Sequence, residues 1–501
     1  MSLNFLFLNI YPLLNEIFLL IVVCFCLVFG AIFSNFQKFY FPILSKSIYF
    51  FCLLSLCFSF ILLLNASPIF FLFLNDFLIS DSLVFYSKFL LIFFTIMWFL
   101  MFNSFLNFEF WILILLSLLA LSLLLHSCDL LSIYLTLEFL SLIFYVLTSI
   151  IRTSEFSVES GLKYFILGAF ASAFLLFGFA LIYNFTGLTN LSDLSIFFAG
   201  YFPETYSTSL TLGISLSIFC IFTSLLFKLG AAPFHFWLPD VYEGAPTSVT
   251  AWFALLPKLV ILSLLIRFIY FTFGDFNFFY LIFYLVFCTF CSSIVGTFGA
   301  FSQDKWKRFI AFSSISHLSF FLLNFCVLKP IYLTSLLFYL IIYLFMTSSF
   351  FSFFNNFNHL LFPILYSPRF FNSLNSLSIS NPLLSLLFSI TLFSFAGIPP
   401  LAGFFIKFFV LFSGISGFLY FLVVFMLILN CIACFYYINL IKKIYFENSK
   451  FKYLPVITIN PFKNFWNPIL ISFFSFIIIL VSFDFEFFFL FSDLLCSSFI
   501  F

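Results

Sequence analysis

Four charged residues lie where charge is most expensive. Glu138, Lys228, Lys258 and Lys407 each fall within an apolar stretch long enough to cross a bilayer. A charged side chain at mid-membrane costs about 2.5–3.5 kcal/mol on an insertion scale, so four together cost roughly 10 kcal/mol. A chain that carries this burden uses the charges. One carboxylate and three ammonium groups held in hydrocarbon can move protons or ions. Each group also has a plainer reading. Glu138 can be a neutral acid bonded to a carbonyl, and Lys228, about two turns from the predicted end of its span, can snorkel to the interface. Lys258, three turns into its span behind Pro257, is too deep to snorkel. Lys228 and Lys258 offer Glu138 cations in a bundle otherwise short of partners, which favours ion pairing. A lysine kept from water and near other cations releases its proton more readily than one in water, as a proton carrier must.

Two histidines are weaker candidates. His317 lies in a polar stripe, Ser313-Ser-Ile-Ser-His317, and His235 in an aromatic, kinked stretch, Pro233-Phe-His-Phe-Trp237. Proton relay and satisfied packing are the alternatives for both. His126 and His359, near span ends, read as interface residues, and Asp304-Lys-Trp-Lys-Arg308 as a solvated anchor. Cys288-x2-Cys291 and Cys431-x2-Cys434 sit inside apolar spans with no His or further Cys nearby. They read as small fillers, and no metal, iron–sulfur cluster or disulfide is expected.

The elements that must position these residues are membrane helices. Of 501 residues, 65% are hydrophobic and only 7% charged, and the mean hydropathy of +1.27 excludes a soluble domain. The net charge of +1 gives nucleic acid no basic face to bind. The 97 Phe, and 15 Lys against 4 Arg, suggest an AT-rich, organellar genome. No cleavable leader is read at the N-terminus, as expected of a protein made in the compartment where it is inserted. The expected fold is an all-α polytopic membrane protein of about fourteen transmembrane helices, near 13–33, 47–64, 82–103, 109–126, 131–150, 160–184, 209–235, 246–268, 278–299, 307–326, 331–354, 381–411, 418–441 and 467–490. Glu138 falls on the fifth span, Lys228 on the seventh, Lys258 on the eighth and Lys407 on the twelfth.

Two spans are interrupted alike. Lys228 is followed by Gly230-Ala-Ala-Pro233, and Gly397-Ile-Pro399-Pro400 precedes Lys407. Proline removes a donor and clashes with the preceding turn, so helices seven and twelve should break there. Broken helices at corresponding places in two halves point to an ion path. The offset of five helices is odd, hence two inverted five-helix repeats, helices 4–8 and 9–13. The expected division is an N-terminal three-helix segment at 1–108, repeats at 109–268 and 278–441, and a loop with the last helix at 442–501. In span six, Gly161, Gly168, Ser172 and Ala173 suit close helix packing.

Several stretches together resemble the antiporter-like membrane subunits of respiratory complex I: Glu155-Phe-Ser-Val-Glu-Ser-Gly-Leu-Lys-Tyr-Phe, Lys228-Leu-Gly-Ala-Ala-Pro-Phe-His through Gly-Ala-Pro-Thr247, Lys307-Arg-Phe-Ile-Ala-Phe-Ser-Ser-Ile-Ser-His317 and Gly397-Ile-Pro-Pro-Leu-Ala-Gly-Phe-Phe-Ile-Lys407. The resemblance covers nearly the whole chain. It implies proton conduction through Glu138 paired with Lys228, then Lys258 as the central carrier and Lys407, within an enzyme whose NADH, flavin, iron–sulfur clusters and quinone belong to other subunits. This chain is then expected to bind no cofactor. The implied partners are a subunit 4-type antiporter-like neighbour, small membrane subunits, accessory subunits and lipids, in the mitochondrial inner membrane. A free-standing cation/proton antiporter and a non-pumping scaffold are the competing readings. The scaffold would have no use for four such costly charges.

Sidedness follows from the cations. One set of connections carries thirteen, Lys38, Lys46, Arg152, Lys163, Lys305, Lys307, Arg308, Arg369, Lys442, Lys443, Lys450, Lys452 and Lys463, and the other only Lys88, Arg267 and Lys329. The first set belongs on the side of synthesis. One-sided cysteine labelling should therefore reach 300–307 and 442–466 from one face, and 185–208 from the other. Labelling of 442–466 and 185–208 from the same face would contradict this topology.

Overall fold

In hydrocarbon each backbone N–H and C=O must be bonded within its own segment, and these apolar runs meet that demand as helices. The computed structural model describes residues 10–36, 41–102, 107–200, 208–273, 279–357, 359–361, 364–366, 368–375, 377–447 and 466–500. Lys38, Lys450, Lys452 and Lys463, used above for sidedness, and the side chain of His359 lie outside the described residues. The helices are α1 (Leu14–Phe36), α2 (Phe41–Leu64), α3 (Ser82–Met101), α4 (Phe108–His126), α5 (Leu130–Thr148), α6 (Glu155–Thr186), α7 (Leu191–Ala199), α8 (Thr208–Leu229), α9 (Trp237–Gly244) and α10 (Thr247–Ile266). They continue as α11 (Phe279–Phe301), α12 (Trp306–Val327), α13 (Leu333–Asn356), α14 (Leu377–Ser380), α15 (Pro382–Ala396), α16 (Ala402–Ser416), α17 (Tyr420–Tyr445), α18 (Trp466–Phe483) and α19 (Phe485–Ile500).

Among the described residues, 13 helices are long and apolar enough to cross a membrane, and the shorter α15 and α16 flank the expected break in the twelfth span. The protein is an all-α polytopic membrane protein. Several expected elements differ in detail. The seventh span, expected to reach residue 235, ends as helix at Leu229, because Gly230 takes φ +78° and Pro233 cannot donate a helical bond. The last span divides after Phe483, where Asp484 accepts a hydrogen bond from the Phe487 backbone N–H and starts a new helix. The connection 185–208 contains α7, started by the Asn190 side chain accepting from the Ser192 N–H. Two short antiparallel hairpins also occur, Phe71–Phe73 with Leu78–Ser80 and His359–Leu361 with Ile364–Tyr366.

The chain divides into two units. The first comprises Met1–Leu229, Gly244–Phe278 and Leu494–Phe501; the second comprises Gly230–Glu243 and Phe279–Asp493. At the centre of the first lies α10, in which every residue from Ser248 to Ile266 is buried. It packs on α3, α4 and α8. Trp98 of α3 stacks edge-on against Trp252 with ring centroids 4.9 Å apart, and its indole N–H donates to the Ser248 carbonyl at 3.0 Å. Past Ile266 the helix widens into a π-helical turn, Arg267–Thr272, and Arg267 pairs with Asp81 at 3.0 Å. The glycines of α6 take the packing role expected of them: Cβ atoms on Gly161 and Gly168 would lie 2.9 Å from the Ser149 Cβ and 2.2 Å from the Tyr145 hydroxyl.

In the second unit α13 is buried along nearly its whole length, and α11 lies against α12, where a Cβ on Gly296 would sit 2.4 Å from the Ser316 backbone nitrogen. The tightest approach is at the second break. A Cβ on Gly403 of α16 would lie 1.6 Å from the Ser394 carbonyl oxygen of α15. Backbone cannot yield as a side chain can, so Gly403→Ala should separate α15 from α16 and destabilise the unit by about 1–3 kcal/mol or more. A thermal-shift measurement on the purified protein checks this; an unchanged midpoint would contradict the packing at the break.

Candidate functional site

The fifth span is started firmly. Asp129 caps α5 together with Ser132 in a reciprocal capping box, and Glu138 projects from the third turn. Lys228 stands in the last turn of α8, where Gly230 and Pro233 stop the helix. Its ammonium lies 3.7 Å from Glu138 Oε1, with the side chains 10% and 27% exposed. This is an ion pair without a direct hydrogen bond: among the described residues neither Lys228 Nζ nor Glu138 Oε1 has a hydrogen-bond partner. The other carboxylate oxygen accepts from the Ser141 hydroxyl at 3.4 Å. The pair is in place without a hydrogen bond to hold its geometry. Lys258 sits in the centre of α10, 4% exposed. Pro257 beside it has no N–H to give the Phe253 carbonyl one turn back, so that oxygen is available to another donor. Because α8 packs on α10, Lys228 and Lys258 belong to adjacent helices of one unit.

Lys407 is held differently. Its side chain turns back across the break, and the ammonium donates to the Phe395 carbonyl at 2.7 Å, the Ala396 carbonyl at 2.9 Å and Asn430 Oδ1 at 2.7 Å. All three of its protons are used. A cation at the C-terminal end of α15 also meets the negative end of the helix dipole. Gly397, at φ +82°, leaves room for this return: a Cβ there would lie 2.9 Å from Lys407 Cδ. Asn430 escapes a reading of the sequence alone. Its one signal there is a lone amide in the middle of the apolar thirteenth span.

His317 joins the same site. It is buried, its Nδ1 lies 2.6 Å from the Tyr339 hydroxyl, and with Lys407, Asn430, Ser293, Ser316 and Tyr436 it lines a cavity of about 10 Å³, the space of a single water. His235 is not brought into it by any contact among the described residues. It stacks on Phe236 with centroids 4.7 Å apart, and its Nδ1 has no hydrogen-bond partner there. The charge run 304–308, read as a solvated anchor, is a clasp instead. Glu243 bridges Lys305 and Arg308, and Arg308 also reaches Asp240 at 3.2 Å. These pairs tie the segment after the first break to the start of α12. Lys88 and His126, read as residues of span ends, are buried, and Lys88 pairs with Glu16. Among the described residues no group of three or more His, Cys, Asp or Glu is arranged to hold a metal.

With this geometry in hand, the relatives are informative. Residues 127–433 match the NADH:quinone oxidoreductase/Mrp antiporter transmembrane family. Glu138, Lys228, Lys258, His317 and Lys407 all fall inside that segment, and Glu16, Lys88 and His126 outside it. The NADH-ubiquinone oxidoreductase chain 2 of Marchantia polymorpha is 38% identical over 454 residues, 89% of this chain and 90% of that one. The NADH-quinone oxidoreductase subunit N of Wolbachia sp. subsp. Brugia malayi is 35% identical over 336 residues, 67% and 69% of the two chains. A chain of respiratory complex I from Thermus thermophilus superposes with TM-score 0.75 at 25% identity over 93% of this chain and 96% of that one. A chain of the Mrp complex of Dietzia sp. DQ12-45-1b shares the fold, with TM-score 0.77 at 17% identity over 97% and 96%.

The contacts of Lys407 yield a direct expectation. Asn430→Leu keeps the volume and removes one of three acceptors from a buried ammonium, at a cost of about 1.5–3 kcal/mol for a charge-assisted bond. Proton translocation by the assembled protein should fall while Asn430→Asp, which keeps an acceptor, retains more of it. Equal translocation by wild type and Asn430→Leu would mean that the amide does not serve Lys407.

Proposed function

This chain belongs to the NADH:quinone oxidoreductase/Mrp antiporter family of membrane subunits, and on that premise we propose that it conducts protons through Glu138, Lys228, Lys258 and Lys407. It is an antiporter-like membrane subunit of the proton-pumping NADH:ubiquinone oxidoreductase, in the branch formed by chain 2 and subunit N. The stretch Asp240-Val-Tyr-Glu-Gly-Ala-Pro-Thr247 and a lysine at 407 agree with that branch. The enzyme's NADH, flavin, iron–sulfur clusters and quinone are assigned to other subunits, and this chain to the membrane arm beside a subunit 4-type neighbour, small membrane subunits and accessory subunits. The relatives' names, with the Phe-rich composition of an AT-rich genome, support the mitochondrial inner membrane and an organellar gene. Residues 109–268 and 278–441 are taken as its two five-helix repeats. The Mrp likeness keeps a free-standing antiporter as the second reading; the chain 2 relatives, matched over about nine-tenths of both chains, favour the first.

The observation that carries the mechanism is the Glu138–Lys228 pair, in contact at 3.7 Å yet not hydrogen-bonded. With the pair closed, the carboxylate offsets the Lys228 charge and Lys258 on the adjacent helix keeps its proton. With the pair loosened, Lys228 becomes an uncompensated cation in a medium of low dielectric, and its repulsion favours release of the Lys258 proton. Carbonyls freed at Leu229–Pro233 and beside Pro257 are acceptors along which water can carry that proton. Lys407 does the corresponding work in the second unit, with His317 and Tyr339 beside it as relay. His235 is kept as a second relay residue on its position next to the first break.

Lys258→Met removes the carrier and keeps the volume, so NADH-driven proton uptake should fall while the complex assembles. Lys258→Arg, which cannot release its proton, should be nearly as damaging. Glu138→Gln should slow uptake and reduce assembly somewhat, since it leaves the Lys228 ammonium without its counter-charge. Wild-type pumping by Lys258→Arg would falsify the titrating-lysine scheme.

A further inference from the structure

A second cluster of buried titratable groups lies wholly in the N-terminal helices. Glu16 is in the first turn of α1, Lys88 in the second turn of α3 and His126 at the end of α4, each at most 4% exposed. Lys88 Nζ lies 2.5 Å from Glu16 Oε1, His126 Nε2 lies 3.6 Å from the same oxygen, and His126 Nδ1 lies 2.7 Å from the Ile79 carbonyl. The last contact decides where protons sit. A carbonyl only accepts, so Nδ1 carries the hydrogen, and a neutral imidazole then presents the bare lone pair of Nε2 to a carboxylate oxygen. Two acceptors face one another. The arrangement is satisfied by one more proton on Nε2 or by water between them.

The surroundings supply water. A cavity of about 200 Å³ is lined by Asn15, Asp81, Lys88 and His126, with the exposed Tyr11 and Ile69 at its rim, room for several waters. Asn15 is 5% exposed, and neither of its amide atoms, nor Glu16 Oε2, has a hydrogen-bond partner among the described residues. Of these, Asn15 lines the cavity, where its amide atoms can bond water; Lys88 and His126, which contact Glu16, line it too. The cluster also holds no net charge that would draw a metal ion or an anion, since Lys88 offsets Glu16, and Asp81 is engaged by Arg267. The ends of α1–α4 that surround it alternate in direction along the chain, so the cavity opens on one membrane face, that on which α1 begins.

We propose that Glu16, Lys88 and His126 form a second proton-exchange site, reached by water from that face; this rests on the proton-conducting reading above. A proton delivered by cavity water binds His126 Nε2, the imidazolium shares Glu16 Oε1 with the Lys88 ammonium, and the proton returns to water by the same nitrogen. No other bond is made or broken.

The test uses the assembled complex in vesicles. Glu16→Gln and His126→Gln should assemble, oxidise NADH when uncoupled, and show a severalfold loss of coupled proton translocation with a shifted pH profile. In Asn15→Cys, the new thiol should be modified by a small, charged, water-soluble thiol reagent from one face only. Glu138→Gln serves as the control. If it loses translocation while Glu16→Gln and His126→Gln keep the wild-type ratio and pH profile, this inference fails and the first reading stands; if Glu138→Gln also keeps them, the first reading has failed. A polar plug that merely holds α1, α3 and α4 together predicts lower yield of a complex that pumps normally, which overturns the proposal. Where the charge variants do not assemble, a thiol left unmodified in Asn15→Cys overturns it, because the site would be dry.

Discussion

A helix in hydrocarbon can be interrupted only where something else bonds the groups that the interruption releases. That constraint shapes both candidate sites. At the second break Lys407 does the bonding itself: its ammonium takes the two carbonyls that end α15, and Asn430 completes its coordination. The charge that is costly in a membrane is therefore also what makes the break tolerable there. At the first break Lys228 is left to Glu138. The two breaks look alike in sequence and serve opposite ends. One lysine is fully bonded by neutral acceptors; the other is opposed by a charge it touches without a hydrogen bond.

The distinction matters for which group is poised to move. A bond network with all donors used resists change, since each lost bond leaves a buried group exposed to its full desolvation cost. An ion pair at 3.7 Å has no such network to lose. The geometry thus leaves Lys407 fixed by three acceptors, and the Glu138–Lys228 contact without a direct hydrogen bond. The clasp of Glu243 with Lys305 and Arg308 fits the same division, because it anchors the segment that follows the first break to α12 rather than leaving it loose.

Much of this was legible from residue order. The spans were, because a run of twenty apolar residues has only one stable form in a membrane. The breaks were, because Gly230, Pro233, Gly397 and Pro399 act through their own backbone. The four intramembrane charges of the family segment were visible for the same local reason. What escaped depends on contacts between distant residues. Asn430 carries no signal of its role until α17 is packed beside α15, and the backward turn of Lys407 is invisible while the side chain is imagined pointing along its own helix. Glu16 escapes because one carboxylate in the first turn leaves the rest of the span strongly apolar. Lys88 and His126 do lie near the ends of their helices, but residue order does not show that they meet Glu16. The split at Asp484 turned on a single cap.

The complete enclosure of α10 has a bearing on how the protein is made. Every face of this helix is covered by protein, and its one lysine lies at its centre, far from an interface. Delivered alone into a bilayer, it would strand an ammonium group in oil. Chain order prevents that: α3, α4 and α8, the helices that wrap α10, are all synthesised before it. The insertion machinery therefore receives α10 when its receptacle is already present, and a nascent chain that had lost any of those earlier helices would stall at this step rather than at its own defect.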